Sequence, residues 1–402
     1  MKIVHITSSY PRYPEDGTAP FIRSFVDEQL GLGYDVFVLA PYDPAVKEDY
    51  QEKFVTRFRY IRPNSLHIMG HAKALRADVQ LRPLAYVLIP LYLLIGTVQL
   101  FRISLQEKPD ILHAHWVLPN GPIAALVSSL LNIPLVISLH GSDIYIANKN
   151  KLFQTIARMT FGAASCITSC SEDLRNRAKN TGTEKNIVIT PWGVNPKIFK
   201  YDEARKQRLR SDDGIEAVRT IMSLGRMTYK KGFHHLVEAM PAVLARFPNT
   251  RFVIGGDGPV REELRQSAES LGVSNSLELP GKIPWDKVPE FLNNGDIFVL
   301  PSVQDTYGNV DGLPTVMLEA MSTGLPVIAS EIGGIDMVID INDNGIMVPP
   351  GDTAALQTSI LRLLESPEEA IRMGRRAREE IESQFTWKHV AYFFDSLYQE
   401  AL

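Results

Sequence analysis

"KIVHITSSYPRYPEDGTAPFIRSFVDEQLGLGYDVFVLAP", residues 2–41, decides the fold. A β-branched run, KIVHITS, stops at a Ser-Ser-Tyr-Pro loop. A segment with Phe21, Phe25 and Leu30 at helical spacing follows, closed by Gly31 or Gly33, and a second apolar run, DVFVLAP, comes after it. Strand, helix, strand is a βαβ unit, which builds parallel sheets with helices on both faces. The pattern continues outward through ILHAHW, LVISLH, CITSC and NIVITP. A second set follows: TIMSLG, RFVIGG, SLELPG, IFVLPS, PVIAS and GIMVPP. Between the sets, residues 196–217 are charged and lack a strand, which marks a linker. The expectation is an α/β chain of two doubly wound parallel-sheet domains, residues 1–200 and 201–385. A closing amphipathic segment, 386–402, has Trp387, Val390, Phe394 and Leu397 in register and is expected to pack back on the first domain. Two open sheets facing across a cleft would bind ligands at their carboxyl edges.

The whole-chain properties agree. At 402 residues two cores are expected rather than one. Hydrophobic residues are 45% and charged residues 22%, and the net charge of −4 gives no field for nucleic acid. Cys166 and Cys170 lack the partners of a zinc site and read as reduced thiols in a cytoplasmic setting. Residues 84–101, LAYVLIPLYLLIGTVQLF, are nearly long enough to cross a bilayer, yet Pro90, Gly96, Thr97 and Gln99 interrupt them. A helix packed on the sheet is the favoured reading. The second is peripheral contact through residues 59–101 with the inner face of a membrane, where Arg59, Arg62, Lys73, Arg76 and Arg82 would meet anionic lipid, and a true span comes last.

Five constellations carry chemistry. In SLGRMTYKKGF, 223–233, Arg226 and Lys231 lie in a loop between a strand end and a helix start, a setting that suits a diphosphate. The alternative is a solvated basic turn. VIGGDGP, 253–259, carries Gly256 after a strand, where a missing side chain would let a donor ligand approach the backbone, but it departs from the dinucleotide fingerprint, so a turn without a ligand is at least as expected. In DGLPTVMLEAMSTG, 311–324, Pro314 suits a first helical position, so the helix should start near Leu313 with Gly312, Leu313, Pro314 and Thr315 at a phosphate-binding amino end. Glu319 lies about 7–8 Å further on at ~1.5 Å per residue, a span that matches the distance from a terminal phosphate back to a ribose. Asp311 would face whatever hangs from the far phosphate. A dipole-favoured acid and a solvated glutamate are the plain alternative. ISLHGSDIY places His140 at a strand's carboxyl end, with Asp143 to orient the loop, and HAHWVLPNG adds His113, His115 and Trp116. H-x-H on a strand points both rings one way, but no third ligand is evident and no metal is expected. The loop SSYPRYPEDGTAPF, with Gly17 and Thr18, should line the acceptor side.

Taken in order, HGSD (140–143), PWGVN (191–195), R-x-x-x-x-K-G (226–232), GGDGP (255–259), and the acid-x7-Glu motif before AMxxGxPVIA (320–329) resemble family 4 of the retaining nucleotide-sugar glycosyltransferases. The resemblance implies the GT-B fold of two Rossmann-like domains. It implies that Arg226 and Lys231 bind the donor diphosphate, Glu319 the ribose, and Asp311 and His140 the donor sugar. It also implies transfer with retention and without metal or other cofactor, from a nucleoside-diphosphate sugar to a glycan or lipid-linked hydroxyl. Two departures stand out: the first acid is Asp311 rather than Glu, and DGTAPF replaces paired glycines. A nucleotide-sugar epimerase or a non-catalytic nucleotide-sugar-binding protein on the same fold are the alternatives. The acceptor-side expectation covers Gly17, Thr18, His115 and Asp143.

Overall fold

The computed structural model describes residues 1–47, 50, 52–71, 73–77, 80–201, 218–306 and 308–402, with the side chains of 75–77 and 80 excepted. Most of the expected linker therefore lies outside the described residues. The chain divides into two compact units, Met1–Pro191 with Trp387–Leu402, and Trp192–Thr386.

Among the described residues, the main sheet of the first unit has seven parallel strands: β1 (Lys2–Ile6), β2 (Asp35–Pro41), β3 (Val55–Phe58), β4 (Ile111–His115), β5 (Leu135–Leu139), β6 (Cys166–Ser169) and β7 (Val188–Ile189). Their order across the sheet is β3-β2-β1-β4-β5-β6-β7. The order reverses between β1 and β4, so the loops leaving these strands diverge and open a crevice at the carboxyl edge. β4 and β5 are buried at every position because helices cover both faces. The sequence reading missed β3, whose four residues, VTRF, carry too little pattern to stand out.

The helix expected after β1 is α1 (Pro20–Gly31), with Pro20 in its first turn, where a missing N–H costs nothing. The apolar stretch is α2 (Pro83–Glu107), a helix long and apolar enough to cross a membrane by length and composition, with a mean hydropathy of 2.0. Its Ala85, Leu88, Tyr92, Gly96 and Leu100 face the core at helical spacing. Only 28% of its apolar window is buried, however. Further helices, α3 (Val117–Leu131), α4 (Ser142–Ala147), α5 (Lys151–Ala163) and α6 (Glu172–Lys179), complete the main run. The closing helix Trp387–Ala401 buries Trp387, Val390, Phe394, Leu397 and Tyr398 within this unit.

The second unit repeats the plan with β8 (Arg219–Leu224), β9 (Thr250–Gly255), β10 (Leu277–Gly281), β11 (Ile297–Leu300), β12 (Val327–Ser330) and β13 (Ile346–Val348), ordered β10-β9-β8-β11-β12-β13 and all parallel. Its reversal lies between β8 and β11, whose exits carry the Arg226–Lys231 and Asp311 segments. One core binds the sheet to the helices Phe233–Arg246 and Thr353–Glu365 through Phe233, Leu236, Met240, Phe252 and Ile360.

Candidate active site

Each unit carries one cluster of the expected residues, at the carboxyl edge of its sheet. In the second unit, the chain leaves β8 at Gly225 and makes a single 3-10 turn, Tyr229–Lys231. Gly232 then adopts φ 65°, and a Cβ there would sit 1.7 Å from the Pro301 carbonyl oxygen, so only glycine lets this turn dock on the exit of β11. The turn aims two lysines at one carboxylate. Lys231 Nζ lies 2.6 Å and Lys230 Nζ 3.2 Å from Asp311, with all three side chains only 13–14% exposed. Burial would raise the Asp311 carboxyl, but Lys231 and Lys230 outweigh it and hold it well below the usual carboxylate range. Lys230 was not singled out from the sequence, because no periodicity says that neighbouring residues of a turn will point at one group.

The helix Thr315–Ser322 begins two residues beyond the expected Leu313. Pro314 is the cap at ψ 113°, and among the described residues no side chain caps the amino end. Its first-turn amides and positive dipole end remain oriented for an anion. Leu313 is buried beneath it, and the Gly312 carbonyl accepts from Gly334 N at 3.0 Å, which ties the 311–314 segment to the loop after β12. Thr315 is the first helical residue and half-buried. Glu319 is half-buried on the same helix, and burial alone pushes its carboxyl up to about 7. Gly256, at φ 127°, has its missing Cβ space filled by the Gly225 carbonyl, 1.8 Å away, so loop packing already accounts for this glycine. Arg226 is exposed on the loop leaving β8.

In the first unit the expected H-x-H pair proves to be part of a longer chain. His5 on β1 pairs in register with His113 on β4, so His5, His113 and His115 share one face and offer nitrogens within 4.8 Å of one another. His5 is the third imidazole that the sequence reading lacked, since strand register is not legible locally. These nitrogens are committed to hydrogen bonds. Gln29 Oε1 accepts from His5 Nε2 (2.8 Å), leaving His5 Nδ1 to accept from His115 Nε2 (3.0 Å). His115 Nδ1 then accepts from His140 Nε2 (3.0 Å). From the other end of the amide, Gln29 Nε2 donates to the Tyr398 hydroxyl (3.0 Å), which donates to His113 Nδ1 (2.7 Å), and His113 Nε2 donates to Ser138 Oγ (2.7 Å).

One amide thus dictates every tautomer, provided all four imidazoles are neutral. Burial ensures that they are: His5 falls to about 4, His140 to about 3, and His113 and His115 well below the ordinary value. His140 carries its proton on Nε2 and keeps Nδ1 as the basic nitrogen. Trp116 and Phe21 flank its ring at centroid distances of 4.5 and 5.4 Å.

His115 is 2% exposed with both nitrogens engaged, so it supports His140 from within the sheet instead of presenting itself to an acceptor. Asp143 is likewise buried. Its carboxylate accepts from the backbone of Val117 (2.8 Å), Gly141 (2.9 Å) and His140 (3.3 Å) and fixes the loop after β5. Its burial outweighs those bonds and raises it to about 6. In the first loop Thr18 Oγ1 donates to Asp16 (2.8 Å) and accepts from Arg12 (3.0 Å). Gly17 sits between these partners with open space around its Cα.

Two family models cover most of the chain: "Glycosyltransferase Family 4" matches residues 16–198 and "Glycosyl transferases group 1" matches residues 205–380. TuaC of Bacillus subtilis (strain 168), named for teichuronic acid biosynthesis, is 29% identical over 90% of this chain and 89% of its own. The amylovoran biosynthesis glycosyltransferase AmsK of Erwinia amylovora is 25% identical over 98% of this chain and 97% of its own. Among solved structures, Anabaena Alr3699/HepE in complex with UDP superimposes with a TM-score of 0.75 at 18% identity, covering 99% of this chain and all of that one. That likeness establishes the GT-B architecture.

Proposed function

The chain is a glycosyltransferase of the group 1 and family 4 kind, and we propose that it moves a sugar from a nucleoside-diphosphate sugar to a hydroxyl acceptor in polysaccharide or glycoconjugate biosynthesis. The carrying observation is the convergence of Lys230 and Lys231 on Asp311 just before the uncapped amino end of Thr315–Ser322. A departing nucleoside diphosphate gains negative charge as the glycosidic bond breaks. Two ammonium groups and a helix dipole gathered at one place stabilise that charge. They supply the electrostatic role that a divalent cation fills elsewhere, so we read the transfer as metal-independent. Arg226 adds a further cation on the same loop.

Glu319, raised by burial, is suited to accept from ribose hydroxyls, which would draw it into its ionised form. His140 Nδ1 offers an acceptor to a sugar hydroxyl on the first unit. With a neutral, tautomer-locked imidazole and no second carboxylate assigned to the reacting carbon, we favour same-face attack with retention, the leaving phosphate taking the acceptor's proton. The names of the relatives and the UDP bound to HepE support a nucleotide-sugar donor and a glycan-type acceptor.

The test is a panel of UDP, GDP and ADP sugars assayed for nucleoside diphosphate release. Release that depends on an added acceptor supports transfer. Conversion of the donor to its epimer, or binding without release under every acceptor, defeats the proposal.

A further inference from the structure

The first unit contains a cavity of about 370 Å³ that no step above uses. Its position is informative. Ser8 and Ser9 from the exit of β1, Trp116 from the exit of β4, and Ser142 and Asp143 after β5 line it from the carboxyl edge of the sheet, beside His140. Its apolar shaft is lined by Ile89 and Leu93 of α2, Pro122 of α3, and Phe153 and Ile156 of α5. A lining that joins a few polar groups to hydrocarbon fits a molecule that carries both.

The helices that form the shaft also reveal the source of such a molecule. Each turns apolar side chains outward: Val87 (69% exposed) and Leu94 (60%) on α2, Leu130 (60%) on α3, and Leu152 (66%) and Met159 (70%) on α5. α2 packs on α3, and α3 on α5, so these residues belong to neighbouring helices of one unit. Soluble proteins seldom leave apolar surface contiguous over several helices. Arg82 and Arg102, both exposed on or beside α2, add the positive charge that an anionic bilayer attracts.

We propose that this cavity binds the hydrocarbon chain of an amphiphilic acceptor taken from a membrane, and that the three outward-facing apolar helices rest on that membrane. The chain would lie along Ile89, Leu93, Phe153 and Ile156, with the acceptor hydroxyl held near Ser8, Ser9 and the His140 edge. The inference rests on the transfer reading for its biological sense, but the binding itself can be tested alone.

Alkyl glucosides from hexyl to dodecyl, each kept below its micelle concentration, are titrated calorimetrically into the protein without nucleotide sugar. Affinity is expected to rise about fourfold for each added methylene until the shaft is full, then to level off. Filling the shaft with Ile156→Trp or Leu93→Trp should abolish the chain-length dependence while nucleoside diphosphate binding stays unchanged. A decyl glucoside bearing a terminal diazirine provides a second readout on the unaltered protein, with label expected in α2 and α5 at Ile89, Leu93 or Ile156. Affinity independent of chain length, or label confined to outward residues such as Val87 and Met159, overturns the cavity assignment. Soluble chains that bind to protein which ignores anionic phospholipid vesicles would overturn the membrane source. A null titration leaves donor release intact, and failed donor release leaves the titration intact, so the two readings fail separately.

Discussion

Replacing Asp311 with asparagine tests whether the two lysines form an anion cradle. In the free protein the carboxylate holds Lys231 at 2.6 Å and Lys230 at 3.2 Å in a cluster 13–14% exposed. Removing one partner of a buried ion pair costs about 3–5 kcal/mol, and the partial exposure here lowers the expectation to about 2–3 kcal/mol. The variant should therefore unfold at a lower temperature. Anion binding should move the other way. An entering diphosphate must draw the lysines off their carboxylate, and a charged hydrogen bond is worth about 1.5–3 kcal/mol. With the carboxylate gone, inorganic pyrophosphate should bind about ten- to hundredfold tighter, at ~1.4 kcal/mol per decade. Calorimetric titration with pyrophosphate and thermal unfolding with and without it read both effects. The pH dependence is fixed by sign. Burial opposes ionisation of Asp311, but Lys231 and Lys230 prevail and depress it. Its stabilisation is therefore present above the ordinary carboxylate range and lost only as pH falls through the depressed value. The gap between the two proteins should hold from pH 8 to about pH 5. Equal or weaker pyrophosphate binding by the Asp311→Asn protein would refute the reasoning, since the lysines would then not face the anion.

Three further outcomes are expected. Lys231→Ala should lower turnover by about 10²–10³-fold, the usual loss when one preorganised donor to a developing anion is removed, as measured by nucleoside diphosphate release. Glu319→Gln should weaken nucleotide binding. Because burial raises Glu319 to about 7 in the folded state, its ionisation opposes folding as pH rises towards and through that value, so the Gln protein should gain in melting temperature at pH 8 and be unchanged near pH 4. Gln29→Leu takes the amide away from His5 Nε2 and the Tyr398 hydroxyl; each buried group left unpaired costs about 1–3 kcal/mol, and nitrogen NMR should show His140 losing its single tautomer. A His140 spectrum identical to that of the unaltered protein would show that the imidazole chain does not communicate.

The strands and their parallel sense were legible because βαβ repetition is a local pattern, seen in KIVHITS, the Phe21–Leu30 helix and DVFVLAP. The Lys231 and Asp311 segments were legible as loops after strands and before helices. What escaped depends on register and turn geometry. His5 meets His113 only through the β1–β4 pairing, and Gln29 and Tyr398 join them from residues 369 apart. Lys230 depends on one 3-10 turn set by the close approach of Gly232 to Pro301. Gly256, read as a place for a ligand to approach, is occupied by the Gly225 carbonyl, a contact between two loops about 30 residues apart.

The return of the last helix to the first unit has a consequence for how the protein is made. Tyr398, the group that joins Gln29 to His113, emerges from the ribosome only after the roughly 195 residues of the second unit. At about 5–20 residues per second that is a wait of roughly 10–40 s. Throughout it, the earliest-made sheet holds its imidazoles with one hydroxyl missing. The domain begun first is thus completed last, and a shortened chain that ends before Trp387 would leave it open for good.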